Sequence, residues 1–546
     1  MFRIIFAKES ILRKVRRFSN NCTFTHNYSV LTAEEREEVN RLPFFSRSFE
    51  EQPKKQPNKT RQKYTERKIS LTKAIFGEDQ ENAGYLSYHL PRSMPSPYYD
   101  VYCKREQNGS KNDQEREIMQ RLSVTKLLTK RWCELREAYD IYSNVDIFAH
   151  PQLLQGIASH RKLEYETHPV SEETQAFKDT FELQVPDDKF HKLAGSWSET
   201  VSKMLNIFVD GEAREVLCHG YLDANSGHLK SGSSINECDI LISAVVDHLV
   251  LRKKGTAGTL FPFKLSNSVI TRDGQDIAES LKQLRKNESF LKENFEIIVG
   301  DVKTRSFRRV PSHENVIKAT KLQVMYYRHF LEELSIDTTS TYFKLLANAE
   351  RRGFDVDQPV DPAKVISMMA QNEYMVLDMK RLRDGEPIGF NPFDSKNVEN
   401  KKYNLTHYSA LLNDANTIER YGDFFTEWRK PVTLRYLASR LAQVYREVGR
   451  LLCSALMVEY YVRNENFHNT LFDYDVDYLM ENSHDSALFW LGKRDIEPIG
   501  ANIKNFTSYC KHCDYETVCS WRKKGVTKCL DLGDDLVRIA QNDPQS

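Results

Sequence analysis

Two short stretches, "CDILISAVVDHLVLR" at 238–252 and "FEIIVGDVKTR" at 295–305, constrain the fold more than anything else in the chain. Both are rich in Ile and Val and end in charged residues, which is how strands of a buried sheet read, without the 3.6-residue period of a surface helix. As neighbouring strands they put Asp247, Asp301 and Lys303 at or near the ends of apolar runs. A carboxylate there is costly to bury unless it meets a cation. Two carboxylates on adjacent strands make a pocket for a hard divalent ion such as Mg2+, with Mn2+ able to substitute. Asp301 and Lys303 are two apart and so project from one face.

The flanking helical stretches add to this pocket. In "VIKATKLQVMYYRHFLEEL", 316–334, Gln323 and Tyr327 stand four apart and can both face the sheet. In "QGIASHRKLEYE", 155–166, Gly156, His160 and Glu164 recur every four residues on one face, where His160 and Glu164 could complete a metal site. Taken alone, Asp-x-Lys is a weak signal whose ordinary reading is a surface ion pair, and a lone helical His is more often structural. A lysine beside a metal ion can also orient or deprotonate a water while the ion polarises a phosphoryl oxygen.

The order helix with GxxxHxxxE, strand with Asp, strand with DxK, helix with QxxxY resembles the RecB-type branch of the PD-(D/E)xK nuclease superfamily. The resemblance implies an α/β fold with a RecB-like, restriction-endonuclease-like core, a mixed central sheet flanked by helices, with helical insertions. It makes His160, Glu164, Asp247 and Asp301 the metal ligands, Lys303 the catalytic lysine, and Gln323 and Tyr327 its supports. Two departures stand out: Asp301 replaces the commoner Glu, and the insert at about 253–294 is long.

The chain has ten cysteines, and only the last four cluster. A long, Lys-rich chain with one such cluster points to a metal or cofactor and not to a disulfide framework. Cys510, Cys513 and Cys519 supply three thiolates, and the residues leave two closures open: Cys529 nearby, giving a zinc knuckle, or Cys133 far upstream. RecB-type nucleases with a C-terminal cysteine trio close a [4Fe-4S] cluster with a distant N-terminal cysteine, stapling the C-terminus to the fold. Within them the chain is similar to the exonuclease V family through Ser123, Val124, Thr125, Trp132, Cys133, Glu134 and Leu135, "FWLGKR" at 489–494, and Trp521, Arg522 and Lys523. That resemblance selects Cys133 with Cys510, Cys513 and Cys519. It covers about 120–335 and 485–525.

The expected organisation is a mitochondrial presequence over 1–20, a flexible linker over 21–75, a nuclease core over 76–335, and a mostly helical insertion over 336–480. An iron-sulfur segment over 481–530 and a tail over 531–546 complete it. The presequence rests on six basic residues against Glu9, with Ile4, Ile5, Ile11, Leu12, Val15 and Phe18 at helical spacing. Residues 46–70 are polar and read as solvated. Residues 432–462 read as one long helix whose Arg435, Arg440, Arg446 and Arg450 could line a groove, and the family's helical arch suggests a role for 336–480. Lys and Arg number 78 against 77 Asp and Glu, so an anionic partner must be met by a local basic surface; Arg305, Arg308 and Arg309, just after Lys303, are placed for it. No run approaches the ~18 apolar residues of a membrane span, so a soluble chain is expected.

The resemblance thus implies a Mg2+-dependent exonuclease on single-stranded DNA, starting at 5′ ends, in the mitochondrial matrix. It would be a monomer, with a single-strand-binding protein or a helicase as cooperating partner. The rival is a non-catalytic, zinc-stabilised nucleic-acid-binding protein on a nuclease-like scaffold.

Overall fold

The computed structural model describes residues 59–102, 121–145, 151–169, 185–232, 234–255, 262–265, 269, 276–369, 371–396 and 428–541. The presequence expected over 1–20 lies outside them. The described residues divide into two compact units, one lying within 1–94, 132–145 and 495–546 and the other within 95–131 and 146–494. Among the described residues no helix is long and apolar enough to cross a membrane.

In the first unit, helix α1 (Lys59–Phe76) is followed by a small hairpin, β1 (Glu78–Asp79) and β2 (Asn82–Leu86). Helix α1 packs on α2 (Glu134–Ser143), with Phe76 edge-on to Tyr139 at 4.7 Å between ring centroids. Residues 59–70 are therefore helix and not the solvated linker their polarity suggests. The reason is tertiary: buried Lys68 lies 2.7 Å from Asp140 and 3.2 Å from Asp514, partners remote in sequence that offset the cost of burying its charge. Residues 132–145, expected within the nuclease core, fall in this unit, as does the C-terminal helix Ser520–Gln541.

The second unit is a mixed central sheet flanked by helices. Its strands are β3 (Arg121–Ser123), β4 (Glu212–Leu222), β5 (Ile240–Lys253), β6 (Phe295–Thr304), β7 (Leu452–Val462) and β8 (Glu465–Asp473). The order is β3-β5-β6-β7-β8, with β4 also paired to β5. Strand β4 runs antiparallel along most of β5. A strand has only two edges, so β3, paired at Leu241–Ser243, and β6, paired at His248–Lys253, share the other. The two stretches singled out from sequence are thus antiparallel neighbours. Helix α3 (Pro151–Thr167) contacts β4 and β6; α4 (Lys189–Asp210) contacts β4 and β5; α5 (Glu314–Glu333) contacts β4 to β7. Gly220 of β4 lets α5 approach, since a Cβ there would lie 2.3 Å from the Phe330 ring.

Residues 432–462 are not one helix. Helix α7 (Leu434–Gly449) ends where a Cβ on Gly449 would meet Ser335 at 2.0 Å, and "LCSALMVEYYV" continues as β7, between β6 and β8. The β-branched and aromatic residues there pack as a half-buried strand. A turn with positive φ at both Arg463 and Asn464 joins β7 to β8, matching the twist of a two-residue hairpin. Part of the expected helical insertion is therefore sheet. Nor do Arg435 and Arg440 line a groove: both are buried, Arg435 bound by Asp357 and Arg440 by Asp378, which also accepts from Tyr436 at 2.9 Å. A bidentate carboxylate lets guanidinium groups this deep stay charged.

Candidate active site and cysteine cavity

The ladder between β5 and β6 ends at the pair His248↔Gly300. Just beyond it, the Val302 N–H, two residues past Gly300, donates to Asp247 Oδ2 at 2.9 Å, so a side chain takes the place of the next backbone acceptor. This sets Asp247 beside Asp301, which is fully buried. Lys303 Nζ donates to Asp301 Oδ1 at 2.9 Å and to Gln323 Oε1 at 3.0 Å, and Gln323 donates to the Tyr327 hydroxyl. Asp301 Oδ2 lies 2.7 Å from the same ammonium but outside hydrogen-bonding geometry, and is left without a hydrogen-bond partner.

Burial raises both carboxyls. For Asp301 burial outweighs Lys303, Asp247 adds to it, and the group rises to about 7. For Asp247 burial likewise prevails over Lys303 and His160. At His160 burial pulls downward, but the hydrogen bond it donates to Glu215 and the carboxylates of Asp247, Glu215 and Asp301 outweigh it, so the imidazole rises. The site is a concentration of buried negative charge with too few cations.

His160, Glu215 and Asp247 are, among the described residues, the one group whose potential metal-ligand atoms all lie within 4.8 Å of one another. His160 Nδ1 stands 3.1 Å from Glu215 and 3.9 Å from Asp247. Glu164, the expected ligand, is elsewhere: Lys203 holds its carboxylate at 2.6 Å, and Glu215 occupies the place expected of it. Glu215 sits between the ladder pairs Arg214↔His248 and Val216↔Val246 in a left-handed conformation, φ 53°, costly for a residue with a side chain. Lys203 also reaches the Glu215 carbonyl at 3.3 Å, so Glu164 acts through Lys203 on this bend. The signal available in sequence was an acid inside "EAREVLCHGYL", on the strand next to Asp247.

These residues open into a cavity of about 700 Å³ floored by β3, β4 and β5 and walled by α4 and α6 (Thr338–Glu350). Of the three expected phosphate-binding arginines, Arg305 is half-buried, 5.7 Å over the Tyr460 ring; Arg308 pairs with exposed Glu465; Arg309 is exposed. Between them Phe307 is 81 % exposed.

In the first unit Cys133, Cys510, Cys513 and Cys519 line one cavity, with Trp132 and Trp521 at its wall. The Ile499 N–H donates to Cys133 Sγ at 3.4 Å. Burial pushes all four thiols up, Cys510 to about 12 and Cys519 to about 11, and each of the C-terminal three is raised further by Cys133. Cys529 does not line this cavity, and burial alone raises it.

A family profile described as exonuclease V, a 5′ deoxyribonuclease, matches residues 113–522. Three proteins named exonuclease V, mitochondrial, align with most of the chain. That of Vanderwaltozyma polyspora is 43 % identical, covering 94 % of each chain. That of Eremothecium gossypii is 42 % identical over 87 % of this chain and 90 % of its own. That of Saccharomyces cerevisiae is 36 % identical over 93 % and 90 %. The mitochondrial location expected from the first twenty residues agrees with these names. With the profile spanning three quarters of its length and such relatives nearly all of it, the chain belongs to the exonuclease V family.

Proposed function

We propose that the protein is a divalent-metal-dependent exonuclease that hydrolyses single-stranded DNA from 5′ ends in mitochondrial genome maintenance, on a RecB-like core, and that it holds a [4Fe-4S] cluster. Family membership supports the coarser part, a deoxyribonuclease that works in the mitochondrion. The observation that carries the rest is the buried Asp247–Asp301 pair with Lys303 tied to Gln323 at one end of the cavity.

The residues fit a hard cation. The Asp301 Oδ2 that accepts no hydrogen bond, the raised carboxyls and the His160–Glu215–Asp247 group all describe a site whose excess negative charge a dication would relieve. When bound, Mg2+ or Mn2+ supplies Lewis-acid polarisation of the phosphoryl group. Lys303 orients an attacking water and meets the charge that develops on the phosphate, and Gln323 and Tyr327 fix its ammonium. Exposed Phe307 between basic residues offers a base a stacking face, which a single strand can use and a paired one cannot.

The cysteine cavity suits a cluster better than one zinc ion. Thiolates around zinc sit ~3.8 Å apart, from ~2.3 Å bonds in a tetrahedron. Among the described residues no three of the thiols gather within even 4.8 Å, which suits a wider multi-iron cage, and the place of Cys529 speaks against the zinc knuckle.

Two measurements test this reading. With end-labelled single strands and Mg2+, a blocked 5′ end should stop digestion and a blocked 3′ end should not; the reverse pattern, or full digestion in EDTA, refutes it. Glu215→Ala should weaken Mn2+ binding in calorimetry by about tenfold to a hundredfold, the range for disturbed metal sites. An affinity unchanged by Glu215→Ala but lost in Glu164→Gln would restore Glu164 as the ligand.

A further inference from the structure

The metal-binding residues occupy only one end of the cavity. Along β5, Asp247, Val245 and Ser243 alternate onto its floor, and Ser243 is paired with His219 on β4 and Ser123 on β3. Four residues at ~3.3 Å each put this second end about 13 Å from Asp247, too far for one phosphate to touch both.

Cationic groups gather there. Arg352 lines the cavity, just beyond α6, and donates from Nε to Asn348 Oδ1 at 2.7 Å. Among the described residues no carboxylate lies within ion-pairing distance of it. Its charge is felt by Arg121 on β3 and by His219, both also in the lining. His219 is 4 % exposed, and its Nε2 has no hydrogen-bond partner. Burial pulls Arg352 down to about 9 and Arg121 pulls it further. Burial holds His219 near 3, and Lys344 and Arg352 add to that. A half-buried guanidinium set beside a second cation, with no carboxylate to pair it, stays charged only at a cost that a bound anion removes.

We propose that Arg352, with Arg121 and His219 around it, is a subsite for a second backbone phosphate of the substrate strand, so that one strand is gripped at the scissile linkage and again at a fixed distance from it. The inference rests on the nuclease reading. A planar guanidinium held by Asn348 can meet a phosphate through two parallel N–H groups. The contact is to backbone and carries no base preference, as suits an enzyme that digests any sequence.

The test uses the full chain, Mg2+ and single-stranded oligonucleotides in which one neutral methylphosphonate linkage is walked away from the cut site. The parental enzyme should show one sensitive linkage, separate from the scissile one, at which KM rises about tenfold while kcat stays within about twofold, the scale of one charged hydrogen bond. Arg352→Gln should raise KM about tenfold on the unmodified strand and be indifferent to the substitution at that linkage, and Arg352→Lys should fall between. Asn348→Asp, which hands Arg352 a permanent carboxylate, should copy Arg352→Gln without truncating the arginine itself. A flat profile in the parental enzyme, or an Arg352→Gln enzyme that keeps the sensitive linkage, overturns the subsite. Binding of the same oligonucleotides to the Lys303→Ala protein by fluorescence anisotropy should show the same sensitive linkage. That arm reads the subsite even where nothing is cut, and so separates its failure from failure of the nuclease reading.

Discussion

Lys303→Ala is expected to lower degradation of single-stranded DNA by at least about 10³-fold while the protein stays folded. Among the described residues the ammonium is the one cation that touches Asp301, and it is held by Gln323 on the other side. Its removal deletes a group aimed at the charge that develops on the phosphate, an effect of about 10² to 10³. A second loss compounds it. Asp301 already sits near 7 because burial and Asp247 outweigh Lys303, so without the lysine its carboxyl rises further and spends more time protonated at neutral pH, which weakens it as a metal ligand. Asp301→Asn should be as inactive, because it deletes the charge and keeps the shape. Metal titration separates the two: Asp301→Asn should lose most Mn2+ affinity, whereas Lys303→Ala should lose less and recover part of it as pH rises. An Asp301→Asn or Lys303→Ala enzyme that digests at the parental rate would mean that the chemistry lies elsewhere.

What the chain disclosed before its coordinates follows a physical division. Asp247 and Asp301 were legible because each interrupts a run that only a buried strand explains, and Gln323 and Tyr327 because a helix repeats every four residues. Glu215 was not. It reaches His160 through one left-handed residue in β4, held by Lys203 from α4, and no local period records such a bend. Glu164 is drawn away for the complementary reason: it recurs with His160 on one helical face, but Lys203 takes its carboxylate. The helix at 59–70 and the strand at 452–462 were misread because their partners, Asp140 and Asp514 in one case and β6 and β8 in the other, lie far away in sequence. The same blindness hid the second end of the cavity, which three strands and two helices assemble from residues that look ordinary where they stand.

Cys133→Ser is expected to cost the protein its colour and much of its stability together. The parental protein, purified without oxygen, should be brown, absorb broadly near about 400 nm and contain iron and acid-labile sulfide. Four half-buried thiols whose pKa values all lie above the usual range remain protonated at neutral pH unless metal displaces the protons, so the cavity without its group is a set of unused, crowded ligands. When the group is bound, it ties Cys133 to a trio that begins roughly 380 residues later, closing a loop whose entropy is worth about 4 kcal/mol or more on the scale used for covalent cross-links. The melting of the unit formed by 59–94, 132–145 and 495–541 should therefore fall well below that of the parental protein, and α1, which reaches the cysteine loop through Lys68 and Asp514, should become the first site of limited proteolysis. Cys529→Ser should leave colour, iron and melting unchanged. A colourless parental protein, or a zinc content kept by Cys133→Ser and lost in Cys529→Ser, would replace the cluster with the zinc knuckle. Lys68→Met then separates the scaffold from the ligands. It keeps all four sulfurs, so the protein should still acquire iron but release it faster to a chelator; unchanged release would mean that α1 does not brace the cysteine loop.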